Sequence, residues 1–430
     1  MSAEPSPYSE VHDHLKANDC AAVEAWLRKN PGVMARLGSA PPSFLLAAVQ
    51  AIPSREMAGL LLDHGLDLGA VSAAWSDGFG LDSVQPEVAA LLVARGARLS
   101  PHAAAMLGME EELLRMLEAN PALVHAPGGD GARPLHFCRK LKLARLLLSR
   151  GAVVDARDED HDSTAAQWRI GDAPDVTREL LAQGAALDVF MAAGLGDFEL
   201  AQRAVTENPQ CTSWRIGNNS GPFPGIGAQG RGGTIYQWSL GFNRSAVEVA
   251  LDRGHAAVAE FLLQRTPPRA AFLIACARAD RPSATRILAA HPGLVASLSA
   301  EELSLMAKYC WETNFNPEAV ALMLELGFPV AAPEENHGFQ PLHNAAWQGH
   351  PGVVDMLIRK GHPLNDRDPH FRGTPADWAM HSCRVEKRHP EGDFAGVLTL
   401  LFAAGGRPAN SKFPSGDPAI DAIWQRVQGN

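Results

Sequence analysis

The stretch HGFQPLHNAAWQGHPGVVDMLIRKGHPLNDRD, residues 337–368, decides how the rest of the chain is read. Val353, Val354, Leu357 and Ile358 recur at i, i+1, i+4, i+5, the spacing of one buried helical stripe. Gly361 closes that stripe, where glycine supplies the left-handed residue on which helices commonly end. The same ending, a leucine-rich helix closed by glycine, returns around Gly65, Gly96, Gly151, Gly184, Gly327 and Gly405. Gly65 and Gly96 are 31 residues apart, Gly151 and Gly184 are 33 apart, and Gly327 and Gly361 are 34 apart. A period near 33 is the mark of stacked helical pairs, so repetition has to be settled before any motif is weighed. A second ending alternates with the first: Asn/His-Pro at Pro31, Pro121, Pro209 and Pro292, where proline prevents the helix from continuing.

The 337–368 unit resembles the ankyrin repeat nearly residue for residue, with His343 and Gly349-His350 in the places of its two histidine signatures. The resemblance implies that both histidines tie helix and turn to neighbouring backbone. It implies an all-α fold, an ankyrin-type helical solenoid of about 11–12 helix pairs with one long inserted loop. The expected organisation is a disordered stretch over 1–10, degenerate repeats over 11–210, the insertion over 211–244, further repeats over 245–410 and a capping segment over 411–430. In that last segment Ile420, Ile423, Trp424 and Val427 read as one face of a capping helix. Three phrases sharpen the resemblance to a bacterial subfamily of long ankyrin-repeat proteins: DARDEDHDSTAAQW at 155–168, GGTIYQW at 232–238 and GTPADWAMHS at 373–382. That subfamily brings no catalytic residues with it.

The insertion is the largest break in the period. At 34 residues, 211–244 is far longer than the usual connection, and long loops in compact folds are commonly functional. Gly225-Ile226-Gly227-Ala228-Gln229-Gly230 formally matches a dinucleotide fingerprint, but Pro222 and Pro224 precede it and Arg231-Gly232-Gly233 follow. That chemistry needs a strand before and a helix after, so the match is set aside. The choice is between a flexible glycine loop and a folded flap whose Trp214, Arg215, Asn218, Asn219, Arg231, Tyr236 and Trp238 contact a ligand or partner. An internal echo favours the flap: Trp168-Arg169-Ile170-Gly171 recurs as Trp214-Arg215-Ile216-Gly217.

Composition excludes several classes. Net charge is −10, with no block of Lys/Arg, which speaks against nucleic acid as a partner. No apolar run approaches a membrane span, and the N-terminus carries no signal-peptide pattern. The six cysteines are scattered without pairing spacing, as in a reduced cytoplasmic protein, with Cys138 and Cys276 read as small core residues. No nucleophile elbow, phosphate-binding lysine loop, HExxH or paired-cysteine zinc pattern occurs, so no cofactor and no metal are expected. The late histidines offer no i, i+4 pair, and His381 stands out only for lying near Trp378 and a long insertion, where it reads as a loop residue.

The tryptophans divide by register. Phe137 and Trp378 follow the signature histidine position directly and are expected in the core. Trp347 follows Ala345-Ala346, at a place the family exposes on its concave face. With Phe339 on the adjoining finger and Gln348 beside it, it is expected to form a binding patch. The reading is a non-catalytic scaffold that holds a protein partner on the concave face and the 211–244 loop. The alternative is a small-molecule binder or unrecognised enzyme whose pocket that loop closes over Trp214, Tyr236, Trp238, Trp347 and His381.

Overall fold

A computed structural model describes residues 9–35, 54–72, 80–81, 84–217, 226, 232–311, 314–334, 337–383, 391–415 and 418–428. Among these the fold is all-α, built from ankyrin-type pairs of short helices, with two isolated β-bridges and no strand. The chain divides into two compact units, one of residues 1–191 with 232–239, the other of 192–231 with 240–430.

Local sequence explains the helix ends. All seven glycines of the recurrent ending have positive φ, between 80° and 104°, a backbone region that side chains with a Cβ rarely adopt. The Asn-Pro endings do something different. Asn120 and Asn208 stop one helix, and their side chains then accept from Ala122 N and Gln210 N, starting the 3-10 turns Pro121–His125 and Pro209–Ser213. At the front of the first helices, reciprocal capping boxes recur. Thr164 pairs with Gln167, Ser245 with Glu248, Ser299 with Glu302, and Thr374 with Asp377. Glu110, Glu111 and Glu112 form the acidic first turn of Glu110–Ala119, where the helix dipole favours them.

Each unit has a core of its own. In the first, Leu15, Leu27, Met57, Leu61, Val88 and Leu92 are buried together. In the second, Phe272, Leu305, Leu342, Val353, Val354, Leu357 and Leu401 are, and the helix Pro418–Gln428 lays Ile420, Ile423 and Trp424 over that core. Phe137 and Trp378 are buried as the register predicts, and so are Cys138 and Cys276, whose thiols burial pushes up to about 12. The side chain of Val427 lies outside the described residues. Ion pairs stitch repeats together at the surface: Arg139–Asp172 (2.7 Å), Arg145–Glu179 (2.6 Å) and Lys142–Glu110 (2.8 Å), with Arg269–Glu302 and Arg281–Glu325 in the second unit. No helix among the described residues is long and apolar enough to cross a membrane.

Candidate functional site

The site is built upward from one carboxylate. Asp368 accepts hydrogen bonds from the backbone N–H groups of His370 (2.9 Å), Phe371 (2.6 Å) and Gly373 (2.8 Å) and from Trp378 Nε1 (3.0 Å). Burial alone would raise its pKa, but these donors together hold it below the usual carboxylate range. The result is a tight turn, closed by Asp368 N to Gly373 O at 2.9 Å, with Phe371 at its tip 70% exposed. Trp378 is held beneath it on the helix Pro375–His381, whose first turn is fixed by Thr374 and Asp377.

Around Trp378 the neighbouring repeats gather rings. Phe339 meets it edge-on at 4.6 Å and lies nearly parallel to His337 (5.3 Å) and Phe371 (6.3 Å). Trp347 meets it edge-on at 5.7 Å and lies nearly parallel to Trp311 on one contact (6.2 Å) and His381 on another (5.8 Å). Such offset and edge-on pairs are the favoured aromatic geometries. The array spans the 337–339 and 369–371 turns and the helices Pro341–Gln348 and Pro375–His381. His343 and His350 have the structural duties expected of them. His343 Nε2 bonds Asp366 O and Gly373 O, both at 3.2 Å, and burial lowers its pKa; His350 Nδ1 accepts from Val353 N.

The structure therefore brings together Phe339, Trp347, Gln348 and His381, with two corrections. Trp347 is half-buried in a ring stack, not a free surface aromatic, and its Nε1 and the Gln348 Nε2 are buried without a hydrogen-bond partner among the described residues. His381 ends a helix and stacks on Trp347 instead of lying in a loop. Sequence reading missed Trp311, His337, His370 and Phe371. The signal for Phe371 was there: it lies 34 residues after His337, one period on, at the same place in an equivalent turn.

The insertion residues do not join this array as a set. Arg215 is 4% exposed, its Nε donating to Asn243 O (2.9 Å) and its Nη2 lying 3.0 Å from Glu248 Oε2, so it fastens the base of the insertion. There Ile216 N reaches Arg244 O at 2.8 Å and Asn243 N reaches Ile216 O at 2.7 Å. Tyr236, in the first unit, is fully buried, its hydroxyl donating to Asp188 at 2.7 Å; burial raises the pKa of both groups. Neither Arg215 nor Tyr236 offers a surface for a partner. Trp214 is half-buried, while Trp238 is 76% exposed on a π-helical turn, Gln237–Gly241. Asn218, Asn219 and Arg231 lie outside the described residues.

Two other features of the first unit bear on chemistry. Asp130, Asp160 and His161 bring three ligand-type atoms within 4.8 Å of one another, but His161 Nδ1 already bonds Asp158 at 2.8 Å. A cleft of about 330 Å³ is lined by Val124, His125, Arg133, Leu135, Val153 and Arg157 among others, and no described residue of the insertion lines it.

No curated protein matches the sequence significantly. The crystal structure of the human ASB11 ankyrin repeat domain is similar at 18% identity over 73% of this chain and all of that one, with a TM-score of 0.24, a superposition too loose to bear on function. Residues 310–358 match the family model described as ankyrin repeats (many copies), a stretch that includes the helices Pro341–Gln348 and nearly all of Pro351–Arg359. The family match thus covers the segment that supplies Trp311, Phe339 and Trp347.

Proposed function

We propose that the protein is a non-catalytic recognition scaffold of the cytoplasm, holding a protein partner on its aromatic array and on the exposed part of the 211–244 insertion. Stacked repeats of this kind generally serve as extended interaction surfaces. The observation that carries the reading is the array itself. Phe371 stands 70% exposed on a turn that four hydrogen bonds to Asp368 hold rigid, and half-buried Phe339 and Trp347 flank it. Aromatic anchors on a pre-formed surface lose little conformational entropy on binding, which is why they dominate interface energetics. Trp238, 76% exposed on the turn that follows the buried segment 232–236, supplies a second anchor of the same type.

Affinity capture from lysate tests the proposal with three baits: the intact chain, Trp238→Ala, and a variant with residues 218–231 replaced by a short glycine-serine link. The link leaves the buried segment 232–236 in place. The expected result is one protein enriched by the intact chain and depleted at least tenfold with both variants, all three baits melting alike. Equal capture by all three would remove the insertion from the recognition surface. Enrichment of nothing over a bead control would sink the scaffold reading.

A further inference from the structure

The charges around the aromatic array are arranged asymmetrically, and this goes beyond the scaffold reading on which it rests. Among the described residues, the carboxylates closest to the rings are mostly turned inward and hydrogen-bonded. Asp368 is 1% exposed and accepts four hydrogen bonds. Asp377 is 6% exposed and accepts from Thr374, Ala409, Asn410 and Ser411. Glu334, also buried, accepts from the His337 backbone N–H (2.7 Å) and bonds its ring Nδ1 (3.0 Å). Asp366 is exposed, but its carboxylate receives the Gln340 amide at 3.0 Å.

The cations are turned the other way. Arg367 precedes the closing pair of the turn, and Arg372 follows Phe371 at its tip with φ 57°; both are exposed. Neither has a carboxylate within ion-pair distance among the described residues, unlike Arg139, Arg145, Arg278, Arg281 and Arg359. The two turns are locked to each other, since a Cβ on Gly338 (φ 69°) would lie 2.9 Å from the Pro369 ring. Among the described residues the surface is thus an aromatic floor with a guanidinium rim that no carboxylate pairs with.

We propose that this surface binds an acidic peptide segment carrying apolar or aromatic side chains. Phe339 and Phe371 receive the apolar groups, and Arg367 and Arg372 pair with the carboxylates. Guanidinium–carboxylate pairs are bidentate and directional, so they set register while the rings supply affinity. The overall charge of −10 does not oppose this, because at about 0.15 M salt charges farther than about 8 Å are screened and the local rim decides. A long polyanion such as nucleic acid would extend beyond that rim onto the acidic remainder of the chain.

A random peptide-display selection on the immobilised full chain tests this, followed by anisotropy titration of the enriched peptides. Acidic sequences with Leu, Phe or Trp within a few positions are the expected result. Their affinity should fall about tenfold or more in the double variant Arg367→Glu/Arg372→Glu. Replacing the peptide's acidic residues by lysine should restore binding to that variant. Phe371→Ser should weaken binding comparably with an unchanged melting curve, the ring being exposed. Enriched peptides that are basic, or acidic ones indifferent to the charge reversal, overturn the charge assignment and leave the scaffold reading standing if Phe371→Ser still weakens them. Preferential binding of a polythymidine oligonucleotide overturns the peptide assignment. Failure to enrich any peptide that Phe371→Ser weakens overturns both.

Discussion

Trp347 shows how much a single position depends on its neighbours. Its spacing after Ala345-Ala346 marks it as outward-facing, and it is indeed not enclosed. Yet Trp311 and His381 lie nearly parallel to it, Trp378 meets it edge-on, and its indole Nε1 is shielded from water. Removing the ring leaves those partners without contacts that water replaces poorly. Trp347→Ala is therefore expected to destabilise the second unit by about 2 kcal/mol, below the roughly 3–5 kcal/mol of a fully buried large aromatic because the site is open on one side. Urea unfolding followed by circular dichroism at 222 nm measures this. An unchanged midpoint would mean that the stack contributes nothing and that the residue is a free surface aromatic after all. Its loss of stability also makes Trp347 the wrong probe of binding, and exposed Phe371 the right one.

Among the elements, the end of the insertion is the one with the clearest switchable chemistry. Segment 232–236 lies on the turn at 158–164 of the first unit. His161 O accepts from Thr234 N (3.2 Å) and Thr234 Oγ1 (2.9 Å), Asp162 O accepts from Gly233 N (3.1 Å), and Ser163 Oγ accepts from Ile235 N (3.3 Å). Gly232 is required there, since a Cβ would lie 2.6 Å from Asp162 O. The turn is itself organised by Asp158, which accepts from the backbone of His161 and Ser163 and from the His161 ring. Burial lowers the pKa of His161, but the Asp158 hydrogen bond and the carboxylates of Asp158, Asp130 and Asp160 outweigh it, so the net shift is upward. A histidine raised in the folded state contributes stability that is complete below its unfolded value, about 6.5, and is lost as pH rises through the folded value. Amide exchange in 232–236, corrected for its intrinsic pH dependence, should therefore lose protection as pH rises above about 6.5 and through the raised folded value. His161→Gln should abolish that pH dependence. Protection that stays constant across the window would show that the ring's charge has no hold on the segment.

At the scale of the whole molecule, stability is a sum of small units, each held by its neighbours. In the second unit the helix Pro418–Gln428 is such a neighbour to the helix Phe394–Ala403: Trp424 stacks on Phe413 at 4.3 Å and meets Phe402 edge-on at 5.0 Å, with Arg407 over its face at 5.3 Å. A chain truncated after residue 411 would leave Phe402 and Leu401 facing water. It is expected to bind 8-anilinonaphthalene-1-sulfonate and to elute as aggregates in size-exclusion chromatography, while the intact chain does neither. A truncated chain that stays dispersed and dye-free would show that the helix is dispensable. The cross-repeat ion pairs matter less, since exposed pairs are worth about 0–1 kcal/mol each.

What the sequence by itself determined is whatever depends on neighbours within a few residues. Glycine endings, Asn/His-Pro endings and the i, i+4 stripes predicted the helix pairs, because φ restriction and helical periodicity act within one or two turns of chain. The repeat register also placed Phe137 and Trp378 inside, and it joined Phe339 to Trp347, since one period is a fixed displacement in space. The tertiary structure alone decided which aromatic and charged residues of the insertion are available. Arg215 and Tyr236 read like contact residues, yet both are buried, Arg215 paired with Glu248 33 positions on and Tyr236 donating to Asp188 48 positions back. The same holds for the rim of the aromatic array. Asp368 and Arg372 are four positions apart, and only the closing of the turn sends the carboxylate inward and leaves the guanidinium exposed.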